Sequence, residues 1–316
     1  MIWVLGATGY IGQAFVQELQ ARRLDFRPLS RADFDYSDRR TFATRLANEK
    51  PDLVIQAAGF TGRPNVDACE KMKVDTLQGN LGLTLTIAEA CGAAGVRMGH
   101  VSSGCIFTGA KFKNSSGNWE VRECLTDPSL TALLTARSDR VAGFKELDEP
   151  NFTFRQNKCS FYSGTKALTE EALSGFPEMF LWRLRIPFDE RREGRNYLTK
   201  VQAYPKVYQN WNSLSHRGDF ARACLDLWEK GAPGGAYNLT NPGYVSTEEV
   251  VAKIQKALRP DWRPAFWADD EEFYCLGARA PRSNCILDCR KAIEAGARMR
   301  PVAEALEDSL FRWGKS

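Results

Sequence analysis

The sequence predicts an α/β protein: a Rossmann-like doubly wound parallel sheet with a smaller C-terminal α/β substrate domain. Three observations predict it. Short apolar runs alternate with helix-periodic stretches from Ile2 to Ser102, joined by connections short enough for right-handed crossovers. The first run ends on Gly6, Gly9 and Gly12, which open a helix, the context of a phosphate-cradling turn. Tyr162 stands four residues before Lys166, one helical turn away on the same face.

Ile2 to Leu5 is uniformly apolar and reads as a strand buried on both faces. Gln13 to Arg22 follows as a helix with Phe15, Val16 and Leu19 on one side. Asp25 to Ser30 is the second strand and Arg39 to Glu49 the second helix. Pro51-Asp52 then leads into the strand Leu53 to Ala57. Lys73 to Gly95 reads as one long helix with Leu83, Leu85, Ile87 and Ala88 apolar, and Val96 to Ser102 as another strand. Residues 108–142 break this rhythm. Gly117, Asp127-Pro128 and a polar stretch from Lys111 to Asn118 predict a loop with a short helix at Ser129 to Ala136. Connections of this length usually carry function or mobility. Thr165 to Ser174 reads as the helix carrying Lys166, and Phe180 to Ile186 as the next strand. In the last third, Thr247 to Leu258 and Val302 to Trp313 read as helices among loops rich in Pro, Trp and Arg. The division expected is a dinucleotide domain at 1–182 and a capping domain at 183–316, with 208–240 returning to the first.

Composition narrows the function classes. The 316 residues are 43% hydrophobic and 26% charged, which suits a globular protein rather than a disordered one. A net charge of +4 suits anionic ligands and is too small to argue for nucleic acid. No apolar run is long enough to cross a membrane, and Met1-Ile-Trp-Val-Leu-Gly enters a strand without a signal-peptide pattern. The nine cysteines are dispersed without a CxxC pair, and there are only two histidines, His100 and His216, so no structural zinc site is expected. Scattered cysteines of odd number suit a reducing cytoplasm.

The glycines permit a tight turn and close approach of backbone to a pyrophosphate, although their spacing is GxxGxxG rather than GxGxxG. Gly6, Thr8, Gly9, Tyr10, Ile11 and Gly12 are therefore expected at a dinucleotide. At the end of the second strand Ser30-Arg31 stands where an acid would hold the ribose of NAD. A hydroxyl and a guanidinium suit the 2′-phosphate of NADP, so NADP is expected and NAD is the alternative. Ala57, Ala58 and Gly59 would let the cofactor cross the sheet edge. Asp35 faces either the adenine or its own turn.

Ser103 ends a strand at the edge where such sheets bind ligands. With Tyr162 and Lys166 it forms a proton path: Tyr162 as acid, Ser103 as positioner, and Lys166 lowering the phenol pKa and reaching the cofactor ribose. This points to hydride transfer to or from a carbonyl.

Longer motifs carry a more specific resemblance. They are Gln56-Ala-Ala-Gly-Phe-Thr-Gly-Arg-Pro-Asn-Val-Asp67, Gly104-Cys-Ile-Phe107, Gly143 to Phe152, Ser160-Phe-Tyr-Ser-Gly-Thr-Lys166, Arg183-Leu-Arg-Ile-Pro187, Asn196-Tyr-Leu-Thr-Lys200, Asn238-Leu-Thr-Asn-Pro-Gly243 and Ala280-Pro-Arg-Ser-Asn284. In these the chain resembles an extended short-chain dehydrogenase/reductase of the dTDP-4-dehydrorhamnose reductase branch. It is most similar to the UDP-4-keto-6-deoxy-glucose 3,5-epimerase/4-reductases of UDP-rhamnose synthesis. The resemblance implies a nucleotide-diphosphate sugar as substrate and Ser103, Tyr162 and Lys166 as the reducing triad. It implies Cys105 and Lys200 as epimerisation acid and base, and Arg282 as a diphosphate contact. A thiol and an amine suit that task when their pKa values approach neutrality. It also places Arg63, Asn65, Asn80, Gly104 and Asn196 at the substrate and Ile186 at the cofactor. Packing for Cys105 and solvation for Lys200 are the plain alternatives. A helix-paired homodimer is common in such proteins. Two segments are longer than the family pattern, 108–142 and Thr153 to Cys159, and both flank Tyr162. A lid that changes substrate choice is one consequence. The rival readings are an epimerase or dehydratase that recycles NAD, and a non-catalytic NADP-binding regulator.

Overall fold

The computed structural model describes residues 1–316 except Pro64, Asn157, Pro177 and Ser316. Its centre is a six-stranded sheet whose neighbouring strands all run parallel. The first strands and helices are β1 (Ile2–Leu5), α1 (Gly12–Arg22), β2 (Phe26–Leu29), α2 (Arg39–Glu49) and β3 (Leu53–Gln56). They are followed by α3 (Lys73–Leu77), α4 (Leu83–Ala94) and β4 (Arg97–Ser103). The expected single helix at 73–95 is interrupted by a π turn, Gln78–Gly82, with Asn80 buried inside it. Such insertions gather at functional sites.

Side chains alternate across β1 and so build both faces. Ile2 and Val4 pack with Phe15, Leu19 and Phe220, whereas Trp3 and Leu5 pack with Phe42, Ile87 and Met98. The chain moves from β1 to β2 on one side and places β3 on the other. The reversal opens a crevice at the strands' carboxyl ends, where such sheets bind ligands.

Residues 108–142 are not the expected loop. They form β5 (Ala110–Lys113), β6 (Trp119–Arg122), α5 (Pro128–Thr135) and β7 (Val141–Ala142), with the three strands in one antiparallel sheet. Phe112, Leu125, Leu130 and Leu134 close a core around Trp211 and Ile286. Next come α6 (Phe161–Ala172) and β8 (Phe180–Leu184). Helix α6 begins four residues earlier than expected, because Ser160 caps it by accepting from Ser163 N at 3.1 Å. The following elements are β9 (Pro187–Phe188), α7 (Tyr197–Ala203), β10 (Lys206–Val207), β11 (Trp211–Asn212), β12 (Ser215–His216), α8 (Arg217–Glu229) and β13 (Gly235–Asn238). Strand β13 pairs with β8 at the edge of the central sheet, and α8 supplies Phe220 and Leu227 to its core. A further apolar cluster joins Phe188, Leu198 and Val207 to Val250 and Ile254 and to Leu306 and Leu310. No helix among the described residues is long and apolar enough to cross a membrane.

Candidate active site

A cleft of about 1840 Å³ follows the carboxyl ends of β1, β3 and β4. One end is the glycine turn. Gly6 has φ +74°, and a Cβ there would lie 2.7 Å from Ala58 N. Backbone therefore faces the start of α1 with no side chain between, the cradle an anionic diphosphate requires. Thr8, Gly9, Tyr10, Ile11, Ala57, Ala58 and Gly59 line this end. Gly12 does not line it. A Cβ there would sit 2.1 Å from Gly6 O, so its task is to seat α1 against the turn. Ser30 and Arg31 also line the cleft. The Ser30 hydroxyl, however, donates to Asp33 Oδ2 at 2.7 Å, whereas exposed Arg31 has no carboxylate at ion-pair distance among the described residues. Arg31 thus stands at this end of the cleft as a cation with no carboxylate at ion-pair distance among the described residues. Asp35 accepts from Ser37 N at 3.0 Å and caps its own turn.

At the other end Ser103, Cys105, Tyr162, Lys166 and Lys200 line the same cleft. Ser103 Oγ accepts from Cys105 N at 3.2 Å and is within hydrogen-bonding influence of the Tyr162 phenol. The expectation that Lys166 lowers the phenol pKa is not met. Burial is the largest influence on Tyr162 and pushes it up, Cys105 and Cys69 add to this, and Ser103 and Arg195 only partly oppose it. Lys166 donates instead to Val101 O at 3.2 Å, and its burial pushes the ammonium down to about 8. Lys200 is also pushed down, first by burial and then by Arg195 and Arg282, with Glu193 opposing.

Several expected ligands do other work. Asn196 is buried and its Nδ2 donates to Asp189 O at 2.7 Å and Asp189 Oδ1 at 2.9 Å, while its Oδ1 caps α7 at Leu198 N. It does not reach the cleft. Gly104 does not line it either, since a Cβ there would meet Leu287 Cδ1 at 2.5 Å; the position needs close packing. Asn80 touches the cleft, but its amide is committed to Phe60, accepting from N and donating to O, each at 2.9 Å. Arg63 and Asn65 line the cleft, with Asn65 Oδ1 accepting from Asp67 N at 2.9 Å. Arg282 lines it while paired with Asp67 through 2.7 and 2.8 Å contacts, which hold that carboxyl below its usual range. Ile186 lines the cleft at φ +36°, a strained conformation for a β-branched residue.

The sequence reading missed Glu193 and Arg195, which line the cleft beside Lys200. Arg195 donates to Thr61 Oγ1 on the opposite wall. The signal was the basic residue directly before the Asn196 cap. None of residues 108–142 lines the cleft, so the expected lid is absent from its wall.

The RmlD substrate-binding domain family matches residues 1–128. The chain is 30% identical over 313 residues to the bifunctional dTDP-4-dehydrorhamnose 3,5-epimerase/dTDP-4-dehydrorhamnose reductase of Arabidopsis thaliana, covering 99% of this chain and 93% of the relative. It spans 42% of a trifunctional UDP-glucose 4,6-dehydratase/UDP-4-keto-6-deoxy-D-glucose 3,5-epimerase/UDP-4-keto-L-rhamnose-reductase of the same plant, covering 99% of itself at 30% identity. Among solved structures, the L780 UDP-rhamnose synthase of Acanthamoeba polyphaga mimivirus shares the fold with a TM-score of 0.80, 22% identity and 99% coverage of both chains. A dTDP-4-dehydrorhamnose reductase of Bacillus anthracis in complex with NADP shares it with a TM-score of 0.73 and 18% identity, over 99% of this chain and 97% of that one. The chain therefore belongs to the extended short-chain dehydrogenase/reductases, in the dTDP-4-dehydrorhamnose reductase branch with the 3,5-epimerase/4-reductases of rhamnose synthesis.

Proposed function

We propose that this protein reduces the C4 ketone of a nucleotide-linked 4-keto-6-deoxy sugar with NADPH, after epimerising C3 and C5, in rhamnose-type deoxysugar synthesis. One observation carries the reading. A half-buried phenol, a thiol, two amines depressed by desolvation and a glycine turn all face a single cleft.

The chain's own residues divide the work. Lowered by burial and by Arg195, the Lys200 amine is more often free base and takes the proton from the carbon beside the ketone. The electron pair moves to O4, where Ser103 and Tyr162 donate hydrogen bonds to the growing negative charge. Cys105 returns a proton to the opposite face and completes the inversion. The glycine turn and Arg31 would hold the phosphates of NADPH and Lys166 would meet its ribose; when bound, the cofactor would supply the hydride for C4. Tyr162, kept protonated by burial, gives its proton to O4.

Two substitutions separate the steps. Tyr162→Phe is expected to lower kcat for reduction at least about 1000-fold, the upper range of a lost general acid, with NADPH affinity within threefold. Cys105→Ser is expected to slow solvent-deuterium uptake at C3 and C5 while a pre-epimerised substrate is still reduced. Normal deuterium uptake in that variant would leave Cys105 as packing. An enzyme that recycles NAD, or a non-catalytic binder, gives no net NADPH oxidation in the parent protein.

A further inference from the structure

Arg185, just beyond β8, is a buried cation without a counter-charge among the described residues. It is 4% exposed and lines the cleft. Its Nη2 donates to two neutral acceptors, Asn212 Oδ1 at 2.5 Å and Ser283 O. Its Nε is buried with no partner, and no carboxylate lies at ion-pair distance among the described residues. The other buried arginines contrast with it: Arg183 pairs with Glu170 at 2.7 Å and Arg217 with Asp189 at 2.9 Å. Arg282, the expected diphosphate contact, is already neutralised by Asp67. Leaving a guanidinium buried and unneutralised is unfavourable, and the unfavourable term disappears when an anion arrives.

Position says which anion. A Cβ on Gly104 would lie 3.5 Å from Arg185 Cδ, so the side chain runs beneath the Ser103–Cys105 turn. Its head reaches the Ser283 carbonyl, next to Arg282. It therefore stands between the reacting groups and the Arg282 end of the cleft. Asn212 is fixed in turn, donating to Asn284 Oδ1 at 3.1 Å and accepting from Cys285 N at 3.1 Å, so the Arg185 head is held in place. In a nucleotide sugar, the group between the ring and the nucleoside is the diphosphate.

We propose that Arg185 is an anion subsite of this cleft that binds an oxygen of the substrate's diphosphate. This rests on the nucleotide-sugar reading above. The test is Arg185→Met, which keeps the volume and removes the charge. Binding of UDP, dTDP, uridine and NADPH is measured by titration calorimetry, and the melting temperature of the free protein is measured alongside. The expected result is a loss of about 10- to 100-fold in affinity for the nucleoside diphosphates, as for a lost charge-assisted bond. Uridine and NADPH affinities stay within twofold, and the free protein melts at the same temperature or higher. A merely structural arginine would instead lower the melting temperature and weaken uridine equally, which overturns the proposal. Nucleoside-diphosphate affinity unchanged within twofold also overturns it, as does a parent protein that binds neither UDP nor dTDP. The functional reading is judged separately, by NADPH oxidation with the keto sugar.

Discussion

Tyr162 and Lys166 were legible in the sequence as a pair one turn apart, but their protonation was not. Spacing alone suggests an ammonium lowering a phenol. In the fold Lys166 is buried and Tyr162 half-buried, and desolvation moves the phenol up and the ammonium down to about 8. Desolvation comes from elements distant in the chain, so no local motif reports it. The same limit hid Arg185 and the commitment of Asn80 and Asn196 to structural bonds. The lysine has a measurable consequence. Its drop from 10.5 to about 8 corresponds to about 3 kcal/mol of disfavoured ionisation at neutral pH. Between pH 8 and 10.5 the unfolded chain holds a proton that the folded one lacks, so this site makes stability rise with pH across that window. Below pH 8 the penalty is complete. Lys166→Met is therefore expected to stabilise the free protein by on the order of 1–3 kcal/mol at pH 7 and to lose that advantage towards pH 10.5, while abolishing turnover. Urea melts of both proteins at pH 7 and pH 10 check this. A variant less stable than the parent at pH 7 would contradict it.

Among the elements, β1 and β3 were legible as short, largely apolar runs, and β2 and β4 from their place in the alternation with the helices between them. The insertion was not legible. Residues 119–122 are exposed throughout, so β6 shows no buried alternation. The core of the insertion is completed by Trp211 and Ile286, far away in sequence. What resembled a lid is a buttress. Asp270 accepts from Thr126 of the insertion at 2.9 Å and from Tyr208 at 2.8 Å, and Tyr208 stacks on Phe273 in the cleft wall at 3.8 Å. Leu134 is wholly buried in that small core. Leu134→Ala is expected to cost about 2–5 kcal/mol of stability, with KM for NADPH within twofold of the parent. Chemical denaturation and steady-state kinetics read the two quantities. An unchanged midpoint would mean that the insertion is not packed as described.

The whole molecule joins the two ends of its cleft through buried contacts that no sequence spacing announces. Asp189 is 2% exposed and accepts from Tyr10 OH of the cofactor turn at 2.9 Å. It also accepts from Asn196 Nδ2 at 2.9 Å and Arg191 Nε at 3.0 Å, and it forms an ion pair with Arg217 at 2.9 Å. Tyr10 and Asp189 are 179 residues apart, yet this knot ties the glycine turn to the segment that carries Arg195 and Lys200. The doubly wound sheet and the family are legible in the sequence, because they rest on local patterns and long motifs. α8 and β13, within the 208–240 segment expected to return to the first domain, pack on the central sheet. One cleft is proposed to perform both proton exchange beside the ketone and hydride reduction of it. The most direct measurement is incubation of the protein in D2O with NADPH and UDP- or dTDP-4-keto-6-deoxyglucose, following absorbance at the NADPH band and deuterium in the product. The expected result is one NADPH oxidised per sugar and deuterium at C3 and C5 of a rhamnose-configured product. No NADPH oxidation, or reduction without deuterium at either carbon, would contradict it.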